Sequence, residues 1–258
     1  MVKPIKNYIL LLIRGDKLVK IVIIRHGEPD YENNTLTPNG FKEAKALAKY
    51  LKNIKVDAWY TSPLPRAKLT SEEVLKPRKK EAVVLPWLKE FSHYVDVPYK
   101  SEKQINWDFL PSYFTKNDDF YDNNKYLDSK VMKSGNVKEY YMEVVAEFDK
   151  LLETHGYKRE GRTYKVLKSN KDTIVLFCHF GVMSVLMSRL INVPYIVLAQ
   201  YFVCLPTGIT TFVSEEREQG IAQFRCLQYG SLSHLEMENI KPSFHARFCE
   251  TFDSKEIH

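Results

Sequence analysis

The sequence predicts a three-layer α/β/α fold with a mostly parallel central sheet, formed by one domain that carries an inserted lid region. Short apolar runs rich in β-branched residues alternate with longer segments of helical apolar spacing, an alternation typical of parallel sheets covered by helices on both faces. The chain has 258 residues, of which 44% are apolar and 13% aromatic, so it is long enough to bury a substantial core. We expect the domain at about 19–240, with the lid at about 95–136 and a C-terminal tail at 241–258.

Residues 1–18 are expected to be a leader outside the domain. The apolar run Tyr8–Ile13 has only six residues, whereas a membrane span needs about 20, and no small-residue cleavage site follows it. One hypothesis is that the leader is not native and that Val19 is the true start. The sequence therefore predicts no membrane association and no secretory signal.

Composition and charge favour a cytoplasmic protein. The 38 Lys and Arg residues exceed the 32 Asp and Glu residues, for a net charge of +6, a mild excess spread along the chain that suits anionic substrates but not nucleic acid. The densest basic run, Lys76–Lys80, is interpreted as a solvated connection. The four cysteines show neither a CxxC pair nor the spacing of a zinc site, which indicates a reducing compartment.

Three strands and two helices are predicted before the insertion. They are a strand at Lys20–Ile24, a helix at 37–53, a strand at Val56–Thr61, a helix at Pro65–Leu75 and a strand at Ala82–Leu85. The first helix is predicted from Thr37 as its N-cap, from Pro38 at its first position and from apolar residues at helical spacing after them.

The alternation resumes after the insertion. A long amphipathic helix begins at Val137 with Gly156 as its stop, and it is followed by a buried strand at Asp172–Cys178, a helix through Leu190 and strand-like runs at Ile209–Val213 and Ile221–Leu227. Beyond about Glu238 the sequence indicates no regular structure.

The insertion is rich in aromatic residues, which leave two interpretations open. They line an apolar cleft for an organic group, or they form the insertion's own small core. These residues are Tyr99, Trp107, Phe109, Tyr113, Phe114, Phe120, Tyr121 and Tyr126. Lys100 and Lys103 are candidates for additional anion contacts.

Charged and histidine side chains follow the strand ends. Arg25 and His26 come after the first strand, Arg66 after the second, Glu90 after the third and His179 after the strand that follows the insertion. Because ligands of parallel sheets bind beyond the carboxyl ends of the strands, we expect these side chains to meet at one edge. Two arginines and two histidines in one cleft would repel each other unless an anion lay among them, and phosphate suits guanidinium groups.

The same residues lie within an ordered set of motifs that resembles the histidine phosphatase superfamily, which includes the cofactor-dependent phosphoglycerate mutases. The motifs are Arg25-His26-Gly27-Glu28, Leu36-Thr37 followed by Gly40, Ser62-Pro63-Leu64 followed by Arg66-Ala67, Leu88 with Glu90, and His179-Phe180-Gly181. Their order and spacing match over about 20–235. The resemblance implies a phosphoglycerate mutase-like fold and a phosphomonoesterase that acts on a phosphorylated small molecule.

The resemblance also implies a role for each matching residue. His26 attacks phosphorus and becomes phosphohistidine, Arg25, Arg66 and His179 bind the phosphoryl oxygens, and Glu90 donates a proton to the leaving oxygen. No metal and no cofactor are implied, because the arginines supply the positive charge. Further candidates for phosphate or substrate contacts are Glu28, Asn33 and Thr37, although Glu28 and Thr37 are also suited to bracing the loop and capping the helix.

Two questions about Glu90 and its surroundings stay open at this point. Enclosure would raise its pKa and the nearby arginines would lower it, and the sequence does not decide between them. Mutases of the superfamily carry an arginine directly after the catalytic glutamate, where this chain has Phe91, so hydrolysis is favoured over transfer.

Other assignments remain as alternatives. They are a mutase-type phosphotransferase, a catalytically silent protein that senses a phosphorylated ligand, and a thiolate phosphatase with Cys178 as nucleophile. The last would need an arginine six positions later, where the chain has Ser184, so we interpret Cys178 as a buried core residue. We interpret His93 and His234 as structural.

Overall fold

The computed structural model describes residues 18–243 and 251–252. Nearly all of the predicted leader and much of the tail therefore lie outside the described residues. The hypothesis that the leader is not native concerns the same residues, although its proposed start, Val19, is described. The described strands are β1 (Lys20–Arg25), β2 (Pro29–Asp30), β3 (Thr35–Leu36), β4 (Ala58–Thr61), β5 (Val83–Val84), β6 (Tyr94–Val95), β7 (Gln104–Ile105), β8 (Tyr157–Glu160), β9 (Thr163–Val166), β10 (Thr173–Cys178), β11 (Ile209–Glu218) and β12 (Ile221–Ser231).

Eight of these strands form one sheet in the order β5-β4-β10-β1-β11-β12-β9-β8. The four strands from β5 to β1 are parallel, and β11 continues the sheet antiparallel to β1. Arg25 pairs with Cys178, and Phe177 pairs with Thr61, so β1, β10 and β4 end at the same edge. The residues that follow these strands are therefore neighbours in space.

The described helices lie on both faces of the sheet. They are α1 (Pro38–Leu51), α2 (Pro65–Leu75), α3 (Pro111–Phe114), α4 (Lys130–Ser134), α5 (Val137–Thr154), α6 (Phe180–Ile191), α7 (Tyr195–Tyr201) and α8 (Ser233–Met237), with 3₁₀ turns at Lys76–Arg78, Pro86–Leu88, Asp118–Tyr121 and Tyr126–Asp128. Thr37 caps α1 as predicted, since its Oγ1 accepts the N–H of Gly40 at 3.0 Å.

Alternate residues of β1 separate two hydrophobic cores. Ile21 and Ile23 join a core shared with α5, α6 and α7, while Val22 and Ile24 join a second core with α1 and α2. Because side chains of a strand point alternately to opposite faces, this division shows helices covering both sides of the sheet. The predicted three-layer α/β architecture with parallel central strands is confirmed.

The aromatic residues of the insertion are mostly buried in the larger core. Trp107, Phe109, Phe114, Phe120 and Tyr126 are each at most 8% exposed, and they belong to the same cluster as α5, α6 and α7. Tyr121 differs, since it is 43% exposed and its hydroxyl lies 2.9 Å from that of Tyr201. The insertion is therefore neither an open apolar cleft nor a core of its own, because its rings fill space on one face of the sheet.

Several elements have other bounds than the sequence predicted. β5 has only two residues, both exposed, and β12 extends to Ser231. The hairpin of β8 and β9 and helix α7 were not predicted at all. The two strands of the hairpin have only four residues each, and three of the four residues of β8 are charged, so they lack the apolar pattern of a strand. In the described ranges 18–243 and 251–252, no helix combines the length and apolarity needed to cross a bilayer.

Candidate active site

The ends of β1 and β10 bring His26 and His179 together. The backbone N–H of His26 donates to the carbonyl of Cys178 at 2.9 Å, and the two imidazole centroids are 5.0 Å apart. Both side chains are at most 1% exposed. The parallel pairing of two strands thus places two histidines in one buried position at the edge of the sheet.

The hydrogen bonds of His26 define its tautomer. Its Nδ1 lies 2.7 Å from the carbonyl oxygen of Gly27, which can only accept a hydrogen bond, so we assign the proton to Nδ1. Nε2 then carries a lone pair and accepts from Nε of Arg66 at 3.2 Å. Burial lowers the pKa of His26 well below its usual value, and Arg25 and Arg66 lower it further. The lowered pKa favours the neutral ring, in which the lone pair of Nε2 is directed at a guanidinium group.

The two arginines reach the site from different elements. Arg25 ends β1 and is 4% exposed; its Nη1 donates to the carbonyl of Cys204 at 2.5 Å, and its guanidinium lies 5.6 Å from the ring centroid of Phe180. Arg66 belongs to the first turn of α2, and its guanidinium lies 5.5 Å from the ring of Tyr31. The Nε of Arg25 is buried without a hydrogen-bond partner. A buried donor of this kind is normally satisfied, so it leaves a position for an acceptor.

His179 contributes a second buried nitrogen without a hydrogen-bond partner. Its Nε2 lies 2.7 Å from Oγ of Ser62, and that oxygen accepts the N–H of Leu64 at 3.2 Å. The serine hydroxyl is then free to donate its own hydrogen to Nε2, and on this basis we assign the imidazole proton to Nδ1, an atom that is buried and unpartnered. Burial lowers the pKa of His179 well below its usual value, and the nearby His26, Arg66 and Arg25 lower it further.

Glu90 follows the 3₁₀ turn at Pro86–Leu88 and faces the start of α6. Its Oε1 accepts the backbone N–H groups of Phe91 at 2.7 Å and Val182 at 3.1 Å. Burial raises the pKa of Glu90, and this effect outweighs the two backbone donors and the charges of Arg25 and Arg66. The question left open by the sequence is thereby answered in favour of a carboxyl group that retains its proton above the usual range.

Gly181 leaves space for this carboxyl group. A Cβ atom on Gly181 would lie 2.7 Å from Oε1 of Glu90 and 2.6 Å from Nε1 of Trp107. Both distances are shorter than real Cβ contacts, so the absence of a side chain permits α6 to approach Glu90 closely.

The remaining candidates brace the loop after β1. Glu28 accepts from Thr37 Oγ1 at 3.0 Å and from Asn39 Nδ2 at 2.8 Å, which supports the bracing interpretation of Glu28 and Thr37. Asn33 lies in the exposed turn between β2 and β3, where its backbone and side-chain nitrogens both donate to Asp30. Phosphate contacts by these three residues stay predictions.

Sequence reasoning did not assign a role to three polar residues that contact the site. Ser62 contacts His179, Thr70 accepts the N–H of Gly27 at 2.9 Å, and Glu43 accepts the N–H of Glu28 at 2.8 Å. Glu43 had a signal in the sequence, since it lies between Gly40 and Leu47 at the helical spacing of the apolar face. A charge on a buried face is an exception that needs a reason.

Cys178 and Ser184 have no arrangement suited to thiolate chemistry. Cys178 is fully buried in β10, burial raises its pKa, and Ser184 donates within α6 to the carbonyl of Phe180 at 3.1 Å. A raised pKa disfavours the thiolate form that such a nucleophile needs.

Comparison with known proteins adds a family and a fold. A family model described as histidine phosphatase superfamily (branch 1) matches residues 21–227. A probable phosphatase of Schizosaccharomyces pombe is 32% identical over 73 residues, which cover 24% of this chain and 26% of that protein. Phosphoserine phosphatase 1 of Hydrogenobacter thermophilus is 29% identical over 85 residues, or 30% of this chain and 40% of that protein. The chain thus matches well under half the length of these two curated relatives.

Solved structures show the same fold. Phosphoserine phosphatase from Entamoeba histolytica in complex with 3-phosphoglyceric acid has a TM-score of 0.54 at 20% identity, over 84% of this chain and 99% of that one. Bacillus stearothermophilus YhfR has a TM-score of 0.50 at 20% identity, over 84% and 99% of the two chains.

Proposed function

The chain belongs to the histidine phosphatase superfamily (branch 1), and from this membership we propose that it hydrolyses phosphomonoesters through a phosphohistidine on His26. The observation that carries the proposal is the state of His26: a neutral, buried imidazole protonated on Nδ1, whose Nε2 faces Arg66. A nitrogen nucleophile needs this tautomer and this protonation state.

In the first step, the lone pair on Nε2 of His26 attacks phosphorus while the bond between phosphorus and the ester oxygen breaks. Glu90 transfers its proton to the leaving oxygen, so the product is a neutral alcohol. The guanidinium groups of Arg25 and Arg66 and the Nδ1–H of His179 bind the phosphoryl oxygens, which bear the charge in the transition state. The unpartnered donors on Arg25 and His179 support this assignment.

In the second step, water attacks phosphorus and the bond to Nε2 breaks. Glu90 is now ionised and takes the proton of the water, which returns both residues to their starting states. The chemistry is complete without a metal ion, since charge neutralisation comes from the arginines.

Hydrolysis is favoured over phosphoryl transfer because of the residue after the acid. Phe91 is 2% exposed and packs against Tyr195 with centroids 5.3 Å apart, so an apolar ring stands where the mutases of the superfamily have an arginine. Without that cation, a substrate carboxylate has one partner fewer for retaining the intermediate, and water becomes the acceptor. We propose a small phosphorylated metabolite as substrate, and the similarity to a phosphoserine phosphatase makes phosphoserine an early compound to assay.

The proposal is tested by hydrolysis of para-nitrophenyl phosphate between pH 5 and 8, with and without a chelator. We expect chelator-resistant activity that is abolished in His26→Ala and reduced about 10²- to 10⁴-fold in Glu90→Gln. Because the pKa of Glu90 is raised, its protonated form persists toward neutral pH, and the rate should fall as the pH rises through that pKa. Glu72→Gln, an exposed carboxylate on α2, is the matched control and should behave as wild type.

Three outcomes would contradict the proposal. Folded wild-type protein that binds phosphate without turnover would favour the sensor, and activity retained in His26→Ala would exclude His26 as the nucleophile. Transfer of the phosphoryl group to an added alcohol or sugar in preference to water would favour a phosphotransferase.

A further inference from the structure

A fully buried carboxylate, Glu43, lies on α1 beneath the loop that carries His26. Its Oε2 accepts the backbone N–H of Glu28 at 2.8 Å, Asn39 Nδ2 lies 3.3 Å from Oε1, and the backbone N–H of Ser243 also donates to the carboxylate. The reaction proposed above does not use this group.

The contact with Glu28 leads directly to the nucleophile. The N–H of Glu28 and the carbonyl of Gly27 belong to one peptide group, and that carbonyl accepts the Nδ1–H of His26 at 2.7 Å. A chain of hydrogen bonds therefore runs from the Glu43 carboxylate through the Gly27–Glu28 peptide group to the His26 imidazole, whose Nε2 is the proposed nucleophile. Charge on Glu43 polarises the peptide, makes its oxygen a better acceptor and raises the electron density on the imidazole.

The preceding peptide group, between His26 and Gly27, is held by a neighbouring helix. Thr70 accepts the N–H of Gly27 at 2.9 Å, and a Cβ on Gly27 would lie 2.9 Å from the carbonyl oxygen of Gly40. The loop therefore rests directly on α1 and α2. The Gly27–Glu28 peptide group is therefore held in place, and its hydrogen bond to Nδ1 is the route by which its electron density affects His26.

A charged carboxylate is energetically unfavourable at this buried position. Burial and the charge of Glu28 raise the pKa of Glu43 to about 7, against the favourable effects of the Glu28 and Ser243 backbone donors and of Arg25. A glutamine would accept the same backbone N–H without the desolvation cost. An ionisable group at this position is thus unfavourable for folding in its charged form, which raises the question of what its charge does for the site.

We propose that Glu43 is a positioning residue for the nucleophile, which acts through the Gly27–Glu28 peptide group to keep the proton on Nδ1 of His26 and to strengthen Nε2. This inference rests on the proposed function. It also predicts that the reactivity of His26 changes with pH as Glu43 ionises. The charged groups that face Glu43 are Glu28 and Arg25, and its neutral partners are Asn39 and the backbone amide of Ser243.

The test compares wild type, Glu43→Gln, Glu43→Ala and the control Glu72→Gln, first by the single-turnover rate of phosphoenzyme formation from pH 5.5 to 8.5. Glu43→Gln keeps an acceptor for the Glu28 N–H but no charge, so we expect a rate about 10-fold below wild type at pH 8.5 and close to wild type at pH 5.5. Glu43→Ala should be slower at every pH. Equal pH profiles for wild type and Glu43→Gln, with both proteins folded, would overturn the proposal.

The second readout does not depend on turnover. In wild type, the proton resonance of His26 Nδ1–H should shift with a titration near pH 7, and this titration should be absent in Glu43→Gln while the tautomer is retained. A resonance that titrates identically in both proteins would refute the coupling. If no ester is turned over but the resonances differ as expected, the proposed function fails and the coupling stands.

Discussion

Replacing Glu43 by glutamine should change how the stability of the fold depends on pH. The pKa of Glu43 is raised from 4.5 to about 7 in the folded protein, so folding favours the protonated form of this group. Stability from this group is therefore fully present below pH 4.5 and is lost as the pH rises through 7. A rise of this size corresponds to about 3 kcal/mol, and glutamine carries no such penalty.

The effect of the substitution on the unfolding free energy is best compared between two pH values. Urea unfolding of wild type and Glu43→Gln at pH 5 and pH 8.5 gives two values of the change in unfolding free energy, and their difference cancels any change in packing that is independent of pH. We expect the variant to gain about 2 to 3 kcal/mol relative to wild type between the two pH values. The reasoning would be wrong if the relative stability were constant across this range, because Glu43 would then ionise alike in the folded and unfolded chains.

Two further predictions concern positions on α6 and its neighbours. Gly181→Ala should lower kcat about 100-fold, because its Cβ would lie 2.7 Å from Oε1 of Glu90 and would displace the proposed proton donor. Steady-state kinetics should show this loss, with an unchanged inhibition constant for phosphate as a competitive inhibitor. A kcat equal to that of wild type would contradict the role proposed for Glu90. Asp149→Asn should lower the unfolding free energy by about 1 to 3 kcal/mol with little change in activity, because the carboxylate pairs with Arg189 through three hydrogen bonds near the far end of α6. Urea unfolding tests this, and a loss of activity without a loss of stability would exclude a purely structural role.

The sequence was most informative where chemistry and strand ends coincide. Five residues lie at the ends of strands or in the segments directly after them, and the rule that parallel strands end at one edge is enough to place them together. They are Arg25, His26, Arg66, Glu90 and His179. Their protonation states depend on burial and on distances between segments far apart in the chain, and no residue pattern contains that information.

Residues that support the cluster were harder to find. Thr70 contacts Gly27 only because α2 packs under the loop after β1, and Ser62 contacts His179 only because β4 pairs with β10. These contacts join residues 43 and 117 positions apart. A serine or threonine in a helix turn or strand end is common, so its type alone does not indicate such a contact.

The antiparallel half of the sheet shows a different limit. β12 was predicted to end at Leu227 but continues to Ser231, and its pairing with β11 includes register shifts between Ile209 and Phe212. Irregular pairing breaks the simple alternation of apolar and polar residues on which the prediction depends. The hairpin of β8 and β9 has a further signal in Gly161, whose φ of 58° suits a turn that few other residues adopt.

The insertion contacts the site beside Glu90, the proposed proton donor. Trp107 Nε1 donates to the carbonyl of Phe91 at 3.0 Å, and Asn106 Nδ2 lies 2.9 Å from the carbonyl of His93, so two insertion residues hold the segment directly after Glu90. The nucleophile, by contrast, is fixed by β1, β10 and the loop after β1. The two sets of residues meet at the start of α6, where Val182 donates its N–H to Glu90 and His179 immediately precedes the helix. If Glu90 donates the proton as proposed, the leaving group must approach it, so we expect sequence changes in the insertion to alter which alcohols leave efficiently while Arg25, Arg66 and His179 stay the same.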